Sequence, residues 1–251
     1  MAIKFVGNNQ LVPSTFEIAS PEEVINWCKV NKIRGIDTET IGDCWDGYIY
    51  TLQVGNELDQ YVIDCTSYNP LLFKDILEDK ESTSILQNSK YDLKFFLHLG
   101  IKPNKIYDTF IAECILTTGK KDRKLGLDAL AEKYTNYRLD KSIRGTINYL
   151  GLTDSVIKYA AEDVIALELI MNKQLLLLTE LDLINLLDLE TDVVKVFAEM
   201  EYNGMYLNQE KWLAQAKERE LQAHKFEEAL NQYILANPDK YSKFIDKQLD
   251  L

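Results

Sequence analysis

Four carboxylates at three places in the chain have the residue type and spacing of a site that cleaves phosphodiesters. They are Asp37 and Glu39 in IDTET, Asp92 in NSKYD and Asp163 in YAAED. Phosphodiester hydrolysis needs an attacking hydroxide and stabilisation of charge on the leaving oxygen, and two divalent cations about 4 Å apart supply both. Magnesium and manganese prefer hard oxygen ligands. The four acids together predict a nuclease that uses two divalent metal ions, Mg2+ or Mn2+.

Asp37 and Glu39 belong to a predicted strand, IRGIDTE, that spans Ile33 to Glu39. Alternate side chains of a strand leave the same face, so the two carboxylates share a face, while Thr38 points the other way. Two acids on one face of an apolar strand are costly unless a cation neutralises them. The alternative is a solvated strand end, which is common for a DxE pattern taken alone.

The other two acids each follow a polar residue by four positions, which on a helix places both side chains on one side. Asn88 precedes Asp92, and the alternative there is helix capping by Asn88 or Ser89, with Asp92 as a first-turn acid favoured by the helix dipole. Tyr159 precedes Asp163, and the alternative is a packing ring beside a surface acid. A phenol with a pKa near about 10 is a poor general base but can orient an attacking water. Occurrence of all three segments in one chain favours the nuclease hypothesis.

The elements that must position these acids alternate between strands and helices. SPEEVINWCKVN predicts a helix with Ser20 as N-cap and Pro21 in its first turn. YIYTLQV and DQYVID predict a hairpin, and later strands are predicted at Ser84–Leu86 and Lys105–Tyr107. Further helices are predicted from Lys90 to Gly100, over Asp108–Leu116, in LGLDALAEKY, and as one long stretch from Thr153 to about Leu187. This order predicts an α/β domain with a mixed sheet flanked by helices.

Near residue 187 the sequence changes from a mainly apolar stretch to a more charged one. This change predicts a domain boundary there and gives domains 1–187 and 188–251. The second part contains a charged amphipathic helix from Glu210 to Ile234. Gly204 is suited to a positive-φ turn before that helix, which Asn208 would cap. The fold class is therefore α/β with a C-terminal helical extension.

Charge and cysteine usage limit the function classes. The 251 residues carry a net charge of -12, which argues against a broad basic DNA clamp but leaves room for a grip on a few terminal nucleotides. The cysteines are widely spaced without a CxxC pair, which indicates reduced thiols of a cytosolic protein rather than a zinc site. No signal-peptide core or membrane span is expected, because acids interrupt the apolar stretch Leu175–Leu189. These cysteines are Cys28, Cys44, Cys65 and Cys114.

The three acid-bearing segments IDTET, NSKYD and YAAED resemble the exonuclease motifs of the DEDD superfamily, tyrosine subtype. LQV followed by YVID resembles the hairpin after the first motif, and IYDTFIAECIL and LGLDALAEKY resemble the segments between the second and third. The resemblance covers about residues 30–180. It implies a ribonuclease H-like fold and 3′→5′ exonuclease activity that releases mononucleotides from single-stranded DNA 3′ ends.

The resemblance also implies a role for each site residue. Asp37, Glu39 and Asp163 would hold the metal that carries the nucleophilic water. Asp37 would bridge to a second metal, and Asp92 would support that metal through water. Tyr159 would orient the attacking water. The expected catalytic residues are thus Asp37, Glu39, Asp92, Tyr159 and Asp163.

Contacts to the substrate are expected from residues next to the motifs. Thr40 and Asn88 would touch the site or the terminal nucleotide. Ile41 is the apolar residue available to wedge the terminal base, although Gly42 follows it directly. The basic segment GKKDRK is either a single-strand grip or a solvated loop. Candidates for the grip are Lys120, Lys121, Arg123, Lys124, Lys141 and Arg144, with stacking by Tyr134 or Tyr137.

The segment LETDVVKVFAEMEYNGMYLNQEKW resembles the passage that joins the exonuclease domain of family A (DNA polymerase I-like) enzymes to the polymerase region. Met200, Glu201 and Gly204 occupy its ME-x-x-G positions. The resemblance implies a proofreading role and a polymerase region or subunit as partner, in the cytoplasm of a bacterial cell or phage-infected host. The sequence leaves the oligomeric state open.

Two other functions are compatible with the motifs. A ribonuclease D-like exoribonuclease shares all three, but the segment after Leu189 does not resemble an appended RNA-binding domain. A non-catalytic docking domain of a split polymerase is disfavoured because no acid of the set is missing.

Overall fold

The computed structural model describes residues 2–8, 16–140, 143 and 151–245. The strands are β1 (Ala2–Val6), β2 (Glu17–Ile18), β3 (Ile33–Ile41), β4 (Tyr48–Gly55), β5 (Asp59–Asp64), β6 (Thr83–Leu86) and β7 (Lys105–Asp108). The described helices are α1 (Pro21–Val30), α2 (Lys74–Leu77), α3 (Lys90–His98), α4 (Thr109–Leu116), α5 (Leu127–Tyr134), α6 (Asp154–Ile165), α7 (Leu167–Glu180), α8 (Ile184–Asn203), α9 (Gln209–Ala236) and α10 (Pro238–Ile245). A single 3-10 turn, Pro70–Phe73, precedes α2.

The strands form one mixed sheet in the order β2-β1-β5-β4-β3-β6-β7. Strands β3, β4 and β5 pair antiparallel, as the predicted hairpin requires, and the other neighbours pair parallel. Helix α6 packs on the β3–β4–β5 part of the sheet, and α3 begins just after the neighbouring strand β6. The prediction of a mixed α/β sheet flanked by helices is confirmed.

Side-chain caps explain where several elements begin. The Ser20 hydroxyl accepts a hydrogen bond of 3.2 Å from the Glu23 amide, and Pro21 occupies the first turn of α1. The Asp108 carboxylate accepts from the Phe110 amide at 2.9 Å and so begins α4. Each cap satisfies an amide that the helix itself leaves without a partner.

The long helix expected from Thr153 to Leu187 is wrong, because the chain forms α6, α7 and the start of α8 instead. Asp182 has a left-handed backbone (φ 56°), and its amide binds the Thr179 carbonyl at 3.1 Å. The Leu183 amide closes the turn on the Leu178 carbonyl at 2.8 Å. This pair of bonds is a Schellman closure, which ends α7 although no glycine is present.

Arg34 is a fully buried cation that holds α1 and α2 against β3. Its Nη1 donates to the Asn31 carbonyl at 3.2 Å and to the Cys28 carbonyl at 3.4 Å, and Nη2 donates to the Ile76 carbonyl. Carbonyls at a helix C-terminus carry partial negative charge, so α1 offers this guanidinium electrostatic compensation. Burial still lowers the pKa of Arg34 below its ordinary value.

All four cysteines are unpaired. Cys28 and Cys44 are buried, and Cys65 and Cys114 are half-buried. Burial raises the pKa of each thiol, that of Cys28 to about 11. A high thiol pKa makes these side chains weak nucleophiles, which is typical of structural cysteines.

Helix α8 belongs to the first of two compact units, which spans Met1–Asn203. Val194 and Ala198 are buried, and the Glu201 carboxylate binds the ammonium groups of Lys90 at 2.5 Å and Lys94 at 3.0 Å. These lysines hold the pKa of Glu201 below its ordinary value. The first unit therefore extends past residue 187, where the sequence predicts a boundary, because α8 packs against α3.

The second compact unit, Gly204–Leu251, contains α9 and α10. Gly204 has a φ of 65°, and the Asn208 side chain accepts from the Lys211 amide at 3.0 Å, as the sequence predicts. Helix α9 buries none of its side chains. Among the described residues, no helix combines the length and apolarity that a bilayer span requires.

The extent of the first unit predicts how the chain responds to truncation. A chain that ends at Asn203 should keep the free energy of unfolding of this unit. A chain that ends at Leu187 should lose about 3 kcal/mol or more, because Val194, Ala198 and the apolar surface beneath them become exposed. Urea unfolding followed by circular dichroism measures both values. Equal stability of the two truncated chains would contradict this account of α8.

Candidate metal centre

Three acids from two elements converge on one point of the sheet. Asp37 and Glu39 on β3 and Asp163 on α6 each offer a carboxylate oxygen, and these oxygens lie within 4.8 Å of one another. Asp163 is buried, and the other two are half-buried. An octahedral Mg2+ with oxygens at about 2.1 Å holds ligands up to about 4.2 Å apart. The donor type and spacing fit a divalent cation after a small closing movement.

A pair of glycines lets α6 approach the sheet. Gly35 on β3 and Gly55 on β4 are directly opposite in the antiparallel register. A Cβ atom at Gly35 would lie 2.9 Å from the Val164 carbonyl oxygen, and one at Gly55 would lie 3.1 Å from Val164 Cγ2. Since Asp163 directly precedes Val164, the missing side chains set how far its carboxylate reaches toward β3.

Among the described residues, Asp92 is not a member of the cluster of three acids. It contacts β3 through Thr38, whose side chain leaves the opposite face of the strand from Asp37 and Glu39. The Thr38 hydroxyl, between the two β3 acids in sequence, donates to Asp92 Oδ1 at 2.5 Å. Burial raises the pKa of Asp92 to about 7, the Thr38 bond opposes that rise, and the charge of Asp108 adds to it. Asp92 is therefore held beside β3 by a hydrogen bond that the Thr38 side chain donates.

The turn before α3 depends on Asp108, which the sequence predicts only as the start of a helix. Asp108 Oδ1 accepts from the Asn88 amide at 3.0 Å, and Oδ2 accepts from both the amide and the hydroxyl of Ser89 at 2.7 Å. Asn88 has a left-handed φ of 58°, and Ser89 makes no side-chain cap. Capping of α3 by either side chain is thus wrong. The position of Asp108 directly before TFIAECIL indicates a helix start, but nothing in the sequence indicates its bonds to Asn88 and Ser89.

The remaining predicted site residues lie around the cluster. Tyr159 is buried on α6, one turn before Asp163, and packs with Val156. The Thr40 hydroxyl and the Tyr91 hydroxyl are 2.6 Å apart, which links the end of β3 to α3. Ile41 is half-buried at the last position of β3. Thr40, Ile41 and Tyr159 therefore lie on β3 and α6, the two elements that carry the clustered acids.

The candidate grip residues are only partly described. The loop residues 120–124 are exposed, whereas Lys141 and Arg144 lie outside the described residues. The Tyr134 hydroxyl donates to the buried Glu113 at 2.7 Å, and the Lys133 ammonium lies 4.4 Å from its ring centroid. The Tyr137 hydroxyl donates to Glu57 at 3.0 Å. Both tyrosines therefore have structural contacts in addition to any role in stacking.

Comparison with known proteins shows the family of the chain. A family model described as 3′-5′ exonuclease matches residues 17–178. The chain belongs to the 3′-5′ exonuclease family. It is also 34% identical over 151 residues to DNA polymerase I of Aquifex aeolicus, which covers 59% of this chain and 24% of that protein. The exonuclease chain thus spans about a quarter of the length of this curated relative.

Solved structures share the fold of this exonuclease. Escherichia coli RNase D has a TM-score of 0.67 at 20% identity over 80% of this chain and 51% of its own. Brucella melitensis NrnC with bound Mg2+ has a TM-score of 0.62 at 20% identity over 81% of this chain and 95% of its own. The predictions of a ribonuclease H-like fold and of a DEDD-type 3′-5′ exonuclease domain of a polymerase I-like protein are confirmed. The chain is a hydrolase that acts on nucleic acid.

Substitution of Gly35 by alanine should separate the two parts of the metal centre. The new methyl group cannot fit 2.9 Å from the Val164 carbonyl, so α6 must shift and carry Asp163 with it. A displacement of about 1 Å costs on the order of 100-fold in rate. We expect kcat/KM for nuclease activity to fall by that order. Gly100→Ala is the control, since a Cβ at Gly100 would meet open space and only its positive φ of 70° strains the backbone. Equal losses in both variants would contradict the packing argument.

Removal of the Asp92 charge should change the pH dependence of stability in chelator. The folded carboxyl, with a pKa of about 7, binds a proton that the unfolded chain releases near pH 4. The contribution of Asp92 to the free energy of unfolding should therefore fall as pH rises from about 4 to 7. Asp92→Asn should be more stable than the wild type at pH 8, by on the order of 3 kcal/mol, and similar at pH 4. Parallel pH profiles from urea unfolding would contradict the raised pKa.

Proposed function

We propose that this exonuclease removes mononucleotides from the 3′ ends of single-stranded DNA by a two-metal-ion reaction of the proofreading type. The observation that carries the proposal is the convergence of Asp37, Glu39 and Asp163 within 4.8 Å. The identity to a bacterial DNA polymerase I supports DNA as the substrate and a polymerase region as the partner. The same similarity supports a cytoplasmic location in a bacterial cell.

Asp37, Glu39 and Asp163 would hold the catalytic metal, and Asp92 would support a second one through water. When bound, divalent cations supply a hydroxide nucleophile at neutral pH and stabilise charge on the leaving oxygen. Asp37 would serve both ions. It shares a strand face with Glu39, and Thr38 joins the same strand to Asp92. Mg2+ or Mn2+ fits this all-oxygen donor set. The bound Mg2+ of Brucella melitensis NrnC supports the same class of ion.

Tyr159 would orient the attacking water rather than take its proton. Its phenol leaves α6 on the same side as Asp163, four residues earlier, and packing with Val156 fixes the ring. Thr40, Asn88 and Ile41 would contact the terminal nucleotide. Thr40 and Tyr91 join β3 to α3 through their hydroxyl contact of 2.6 Å, which would fix the edge of that subsite.

RNA is the second candidate substrate, because Escherichia coli RNase D shares the fold with a TM-score of 0.67. That likeness concerns the fold, whereas the sequence identity to a DNA polymerase I extends over 151 residues. The 2′-hydroxyl is the group by which a site tells RNA from DNA. DNA is therefore the substrate that we favour.

Residues 188–251 would form the start of a polymerase region, while residues 1–187 would carry the exonuclease function. The ME-x-x-G segment and the left-handed Gly204 that precedes α9 support this division of roles. The first compact unit ends at Asn203, so the end of α8 would lead along the chain from one function to the other.

A nuclease assay tests the proposal. 3′-end degradation of matched single-stranded DNA, mismatched duplex and RNA is compared with and without chelator. We expect single-stranded DNA to be degraded at least about 10-fold faster than RNA. Asp37→Ala and Asp163→Ala should lose about 1,000-fold or more, because metal-assisted charge stabilisation is removed. Asp188→Ala is the matched control, since Asp188 is an exposed acid on α8.

Each outcome of that assay has one meaning. Full activity of Asp37→Ala would overturn the metal centre. Preference for RNA, with Asp37→Ala inactive, would overturn only the choice of DNA. Inactivity of the wild type on every substrate with Mg2+ and Mn2+ would favour a docking domain without catalysis.

A further inference from the structure

Two neutral polar residues lie beside the acids of β3, buried in the same face of the sheet. Gln53 on β4 is directly opposite Asp37, and Thr51 is directly opposite Glu39. Residues opposite each other in an antiparallel pair share a face, with Cβ atoms about 4.5–5.5 Å apart. Both side chains are fully buried. Each is therefore within side-chain reach of one acid of the metal centre.

The Thr51–Gln53 pair leaves one polar atom without a hydrogen bond. Gln53 Nε2 donates to Thr51 Oγ1 at 2.6 Å, whereas the buried Gln53 Oε1 has no hydrogen-bond partner. Because the Thr51 oxygen accepts that bond, its hydroxyl hydrogen remains available for a second acceptor. A buried amide oxygen without a partner destabilises the fold, so folding alone would favour an apolar residue at position 53.

We propose that Thr51 and Gln53 are positioning residues for the metal-binding carboxylates. Thr51 donates its hydroxyl hydrogen to Glu39, the acid opposite it in the strand register. Gln53 donates to the Thr51 oxygen and so fixes the orientation of that hydroxyl group. Its Oε1 is an acceptor for a water molecule next to Asp37. This inference rests on the proposed metal centre and adds two residues to it.

Neutral donors suit this task better than cations. A lysine or arginine at position 51 or 53 would neutralise Asp37 or Glu39 and compete with a divalent ion. A hydroxyl and an amide fix the orientation of a carboxylate and leave its charge for the metal. Loss of an orienting hydrogen bond behind a metal ligand typically costs 10–100-fold in metal affinity or activity.

Thr51→Val tests the proposal, since valine keeps the shape of threonine and removes the hydroxyl. Mn2+ binding is measured by titration calorimetry without substrate, and kcat and KM for single-stranded DNA are measured in parallel. We expect Thr51→Val to raise the Kd for Mn2+ by about 10–100-fold and to lower kcat more than it raises KM. Thr51→Ser keeps the hydroxyl and should bind Mn2+ within about 3-fold of the wild type.

A buried threonine far from the acids in the sequence provides the control. Thr117→Val removes a buried hydroxyl that donates to the Glu113 carbonyl at 2.6 Å. It should lower the free energy of unfolding in chelator about as much as Thr51→Val does, with Mn2+ affinity unchanged. Should Thr51→Val fail to fold, Gln53→Met carries the same test, with a Kd for Mn2+ raised by about 10-fold or more.

The results distinguish this inference from the proposed function. Failure of the wild type to bind Mn2+, or equal binding by Asp37→Ala, overturns the metal centre itself. Mn2+ binding that depends on Asp37 but is unchanged in Thr51→Val and in Gln53→Met overturns the positioning role alone. Loss of affinity in both the valine and the serine variants at position 51 assigns the effect to packing and also overturns it.

Discussion

The distance between α6 and the sheet decides whether Asp163 can join Asp37 and Glu39. That distance is set by Gly35 and Gly55, which are paired across β3 and β4 and leave only backbone beneath Val164. Three carboxylates whose oxygens come within 4.8 Å repel one another, so the surrounding fold must hold them there. The repulsion between these carboxylates costs stability, and the buried core of the sheet offsets that cost.

Support for Asp92 comes from the face of β3 that carries Thr38. There, Thr38 anchors Asp92, and Asp108 fixes the turn that leads into α3. On the outer side of α3, Glu201 binds Lys90 and Lys94, and the indole of Trp45 donates to the Tyr202 carbonyl at 2.7 Å. The end of α8 thus contacts both the loop after β3 and the helix that bears Asp92. Packing of α8 and placement of the site are parts of one structure.

The sequence was sufficient for features that depend on local spacing. Strand alternation predicted that Asp37 and Glu39 share a face and that Thr38 points away, and cap residues predicted the starts of α1 and α9. Features that depend on tertiary contacts were not readable. The left-handed Asp182 ends α7 through backbone bonds that no glycine announces. The Gly35–Gly55 pairing and the packing of α8 on α3 both require knowledge of which elements meet, because periodicity identifies a buried face but not its partner.

The most direct test is the position of bound manganese. Crystals of the wild-type chain soaked with Mn2+ give anomalous diffraction that locates each ion without assumptions about the ligands. We expect an ion within about 2.0–2.4 Å of carboxylate oxygens from Asp37, Glu39 and Asp163. The metal centre would be contradicted if no anomalous peak lay beside these three side chains while they kept the geometry described. A peak found only elsewhere on the molecule would contradict it equally.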